Sequence, residues 1–156
     1  RHCPMDADIV ILEHTVNTAP GQKATASMER LVRRILSRSR TVDKPLTPAV
    51  IMLHWFDVWT GELAVSKKAH LAKRPNGLSG DQHRWDATPE QDFNVVAQYY
   101  DVPSLSSRNA LFHADASDEP SFRCADFCDN WNHPNHHGHA LMADIVISFL
   151  IQVAAA

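Results

Sequence analysis

The 156 residues suffice for one domain that buries about 70% of its unfolded surface. With 44% apolar and 21% charged residues and a net charge of −3, the composition is that of an ordinary globular chain, and it lacks the broad basic footprint of a nucleic-acid binder. Three cysteines (Cys3, Cys124 and Cys128) are too few, and odd in number, for a disulfide framework, and they do not decide a compartment.

No charged-then-apolar leader precedes the first element, so no signal peptide is read there. That element is Ile9-Val10-Ile11-Leu12, an unbroken aliphatic run suited to a parallel strand covered on both faces. It leads into Glu13-His14-Thr15-Val16-Asn17. A loop follows, and then Met28, Leu31, Val32, Ile35 and Leu36 recur at helical spacing, which predicts an amphipathic helix over about 26–38. Arg30, Arg33 and Arg34 fall off that stripe and read as a solvated outer face, with Glu29 and Arg33 as an i,i+4 pair.

Pro48 to His54 is the second apolar run and the second predicted strand. Residues 55–87 form a long excursion that holds Trp55, Phe56, Trp59 and Trp85. A connection of this length is functional or contains elements of its own, and its aromatics either line a cleft or anchor the segment to the body. Thr88-Pro89-Glu90-Gln91 has capping-box form with Pro at the first helical position, and Phe93, Val96, Ala97 and Tyr100 mark the inner face of a helix ending near Tyr100. Residues 101–106 read as a short third strand. Ser106 or Ser107 then caps a short helix through about Phe112.

The last apolar segment, Ala140 to Ala156, is interrupted by Asp144 and Gln152 and reads as a buried helix rather than a membrane span. Before it stands Asp129-Asn130-Trp131-Asn132-His133-Pro134-Asn135-His136-His137-Gly138-His139, which holds four of the chain's ten histidines. Pro134 fixes its own φ and pushes His133 out of the helical region, and Asn135 can accept from the first free N–H groups of the helix. A histidine held on such a turn is well placed to act as a general base. Strands alternating with helices imply a parallel sheet with helices on both faces, in a single domain.

The spacing His133-Pro134-Asn135-x-x-Gly138-His139 resembles the last block of the SGNH (GDSL-like) hydrolase family, and Asp8-Ile-Val-Ile-Leu-Glu-His-Thr-Val-Asn17 is similar to its third block. The resemblance implies a flavodoxin-like three-layer αβα sandwich whose site sits at the C-terminal ends of the strands. It implies His133 as the catalytic base and Asn17 as an oxyanion-hole donor, in a serine acyl-transfer esterase that needs no cofactor. The substrate implied is a small ester or an acylated carbohydrate.

Two departures stand out. No Gly-Asp-Ser nucleophile block precedes Asn17, and Ser79-Gly80-Asp81 has the reverse order, so the sequence resembles only the C-terminal part of a family domain, lacking its first strands and inactive alone. Such a piece would expose a sheet edge through which it could self-associate. The family also places Asp three residues before the histidine, where this chain has Asn130; Asp129, one residue earlier, is the substitute carboxylate. The rival readings are a zinc-binding module using Cys124, Cys128, His133, His136 and His137, since Cys124-x₃-Cys128 has ligand spacing, and a non-catalytic binding relic of the fold.

Overall fold

The computed structural model describes residues 6–18, 21–37, 47–55, 89–116, 127 and 133–156, with side chains through residue 111 in the fourth of these segments. Among these residues three strands, β1 (Ile9–Leu12), β2 (Ala49–His54) and β3 (Ser104–Ser106), form a sheet in the order β1-β2-β3. Both pairings are parallel, with Ile9 opposite Ala49 and Met52 opposite Ser104. Among the described residues four helices join and follow them: α1 (Gln22–Leu36), α2 (Glu90–Tyr100), α3 (Ser107–Ala116) and α4 (His136–Ala155). The expected α/β architecture with a parallel sheet is the observed one.

The pleat sends Val10, Leu12, Val50 and Met52 to one face, where they meet Met28, Val32 and Ile35 of α1 and Phe93, Val96 and Ala97 of α2 in one buried cluster. The two helices are also tied to each other. Tyr100 Oη donates to Glu29 Oε1 at 2.6 Å, which holds the phenol above its ordinary pKa, and Gly21 N–H donates to Asp92 Oδ2 at 2.6 Å.

α1 begins four residues before its predicted start because Gly21, at φ 125°, turns the chain without a side-chain cap, and Ala24 extends the buried stripe by one turn. α2 starts after Pro89, whose carbonyl accepts from Phe93 N–H, so the proline stands just outside the helix rather than at its first position. Asp101 closes α2 in the left-handed region at φ 53°, which delays β3 to Ser104.

On the other face Ile51 and Leu53 are buried, and α4 lies beside Leu105 through Ile145 and Phe149. Two sequence expectations need correction on this face. β1 is covered on one side only: Ile9 and Ile11 are 48% and 47% exposed, because among the described residues nothing packs over that side of the edge strand. The final helix is not buried either. Ile147 and Ile151 are 52% and 63% exposed, since α4 packs through one side and its opposite side is equally apolar. By length and composition alone, its 20 residues are enough to cross a membrane.

Candidate functional site

In a parallel sheet the strand ends converge on one edge, and the segments leaving them are the natural carriers of a site. Asn17 lies exposed on the turn that follows β1. Two residues earlier, Thr15 is buried; its hydroxyl donates to Glu13 Oε1 at 2.5 Å and accepts from the backbone N–H of Trp55 at 3.0 Å. Trp55 directly follows β2 and is fully buried, so the first aromatic of the long excursion is an anchor. The rest of that excursion lies outside the described residues.

The indole of Trp55 reaches the start of α4. A Cβ built on Gly138 would stand 3.0 Å from Trp55 Cη2, 2.8 Å from Pro134 Cβ and 2.3 Å from the Phe127 carbonyl oxygen. Only a glycine lets the helix enter this close. Asn135 caps α4 as its sequence position suggests: its side-chain oxygen accepts from His137 N–H at 2.9 Å and Gly138 N–H at 3.1 Å, while its own N–H donates to Phe127 O at 2.9 Å. His133 is exposed on the turn leading into this cap. The post-β1 loop and the first turn of α4, which follows the His133 turn, thus meet the same residue, Trp55, at the C-terminal edge of the sheet.

Replacing Asn135 by alanine removes both bonds to the cap. The expected loss is about 1 kcal/mol of unfolding free energy, read from chemical denaturation. A variant as stable as the parent would mean that the cap contributes nothing.

Asp129, Asn130, Cys124 and Cys128 lie outside the described residues. His136 and His137 are exposed, with ring centroids 3.8 Å apart on the first turn of α4. Among the described residues no three potential metal ligands converge.

Sequence reasoning missed a polar seam beside this edge. His54, at the end of β2, is 1% exposed, and its Nε2 lies 3.0 Å from Ser104 Oγ, which donates onward to Asn94 Oδ1. With the Ser104 proton directed to Asn94, the arrangement matches the His54 tautomer whose Nε2–H donates to Ser104 Oγ. Burial, and secondarily the nearby Arg108, lowers the His54 pKa to about 4. The buried Glu90 accepts from Ser106 Oγ at 3.0 Å and pairs with Arg108 at 3.2 Å, which bolts the start of α2 to β3 and α3. Ser106 also accepts from Asn109 N–H, so it is the serine that caps α3, while Ser107 Oγ donates to the His54 carbonyl.

No family model and no curated protein matches the chain. Among solved structures, it is similar to the crystal structure of a two-domain esterase (CEX) active on acetylated mannans, with a TM-score of 0.66 and 22% identity over 95% of this chain. The same esterase co-crystallised with mannopentaose gives a TM-score of 0.64 and 21% identity over 97% of the chain. The chain spans about a third of the length of these structures (31% and 32%) and shares their fold over that part.

Proposed function

We propose that the chain carries the base and oxyanion half of a serine-type ester hydrolase of the SGNH kind, acting on a small ester or an acylated carbohydrate. The observation that supports this most is the joint footing of the Asn17 loop and the His133 turn on Trp55, at the edge where open parallel sheets place their sites. The fold shared with an acetylmannan esterase agrees with it.

In this reading His133 takes the proton from a serine hydroxyl as its oxygen attacks the ester carbonyl carbon. The Asn17 side-chain N–H donates to the tetrahedral oxyanion, a contribution worth about 10²–10³ in turnover where such donors have been removed. His133 returns the proton to the departing alcohol, and a water molecule then releases the acid by the same route. Asp129 orients the imidazole. The serine itself comes from polypeptide outside these 156 residues, which contain no Gly-Asp-Ser.

The test is an activated-ester assay on three proteins: the chain, the chain extended by a serine-bearing strand, and the extended form with His133→Ala. The chain alone should stay at background. The extended form should turn over and lose at least about 10³-fold on His133→Ala. Asn130→Asp should raise its rate. Robust turnover by the chain alone, or turnover indifferent to His133, would overturn the reading.

A further inference from the structure

We infer that Thr15 and Trp55 are positioning residues that fix the Asn17 loop and the His133 turn in one frame, so that displacing either loop displaces the other. The inference rests on the esterase reading for its purpose, but its geometry stands independently. Trp55 is held on three sides. Its N–H is bonded to Thr15, its indole edge lies against Gly138, and the carbonyl of the residue before it accepts from Ser107 Oγ at 2.7 Å. Thr15 is held in turn, because both its hydroxyl and its backbone N–H donate to the Glu13 carboxylate, at 2.5 and 3.0 Å.

Trp55 carries no acid–base or nucleophilic group, and the Thr15 hydroxyl is buried with its proton given to the Glu13 carboxylate. Their value is geometric. An oxyanion donor and a base must be placed to within about half an ångström of each other's working positions, and loops alone do not supply that accuracy. Trp55 does, because its main-chain N–H is held by Thr15 of the first loop while its fully buried ring packs at Gly138, and a packed ring transmits displacement rather than absorbing it. Thr15 adds direction. Its oxygen is the acceptor for the first N–H beyond β2, so the loop after β1 follows that strand end.

The experiment uses NMR of the whole chain and compares Thr15→Val, Thr15→Ser and Trp55→Phe. Valine keeps the volume of Thr15 but removes its oxygen. It should shift the amides of residues 133–139 as well as those of 13–17, since among the described residues Thr15 is linked to the start of α4 through Trp55. Serine restores the oxygen and should return both sets towards the parent positions. Phenylalanine keeps the site filled but withdraws the outer indole ring, so it should move 133–139 and 13–17 while leaving 9–12 in place. Shifts in Thr15→Val that stop at Trp55, or a uniform loss of exchange protection across the sheet that serine does not rescue, would overturn the inference.

A second arm titrates the parent chain with acetate and follows the Asn17 side-chain amide and the His133 ring. One shared dissociation constant is expected, and it should rise in Thr15→Val as the two groups fall out of register. If acetate moves neither group in the parent, the esterase reading falls, while the amide pattern still decides the coupling.

Discussion

Gly138→Ala should destabilise the chain by about 2–3 kcal/mol, a large effect for a single added methyl group. The new Cβ would lie 2.3 Å from the Phe127 carbonyl oxygen, 2.8 Å from Pro134 Cβ and 3.0 Å from the Trp55 ring. None of the three yields cheaply. The carbonyl is main chain and already accepts from Asn135 N–H, the proline is cyclic, and the indole is fully buried. Relief must therefore come from lifting the first turn of α4 away from the sheet, which takes the His133 turn with it. Urea unfolding reads the loss as a lower midpoint at unchanged slope. A midpoint equal to the parent's would show that the helix enters with more room than the geometry allows.

Acid should weaken the fold through His54. Its folded-state pKa of about 4 lies below the ordinary 6.5, so between these values the unfolded chain binds a proton that the folded chain refuses. The sign follows directly: this contribution is complete above about pH 6.5, declines as the pH falls towards 4, and is flat below that. Its full size is about 3 kcal/mol. His54→Gln can keep a donor for Ser104 but does not titrate. Subtracting its unfolding free energy from the parent's at pH 7.5, 5.5 and 4.5 should give a difference that shrinks with acid. A pH-independent difference would mean that the imidazole is not held neutral by its surroundings. The seam adds to the loss, since protonation puts a hydrogen on the buried Nδ1 of His54, which has no hydrogen-bond partner among the described residues, and sets a second positive charge near Arg108.

The parts of this architecture legible in the sequence are those with local causes. Ile9 to Leu12 and Ala49 to His54 announce strands because continuous aliphatic runs have few other uses in a short segment. Asn135 announces a cap because its chemistry acts within three residues. The start of α1 was hidden, since Gly21 caps by conformation and Gln22 and Lys23 add nothing to the apolar stripe. The seam was hidden for another reason: His54 and Ser104 are fifty positions apart and meet only once β2 and β3 are paired. The resemblance of the two blocks gave Asn17 and His133, but not Thr15 and Trp55, whose contact spans forty positions. The exposed side of α4 was misread because apolar composition states what a helix can bury, not whether a neighbour is there to bury it.

Among the described residues the sheet contains no hairpin. β1 pairs with a strand forty residues on, and β2 with one fifty-two residues further still. Every rung of the ladder must therefore wait for a long segment to close, whereas α2 and α4 can begin to form from neighbouring residues alone. Chains of this topology gain helix early and sheet late. During that interval the aliphatic runs of β1 and β2 stand unpaired, so the rate at which the chain closes these two loops, more than its final stability, governs how much of a refolding sample is lost to association.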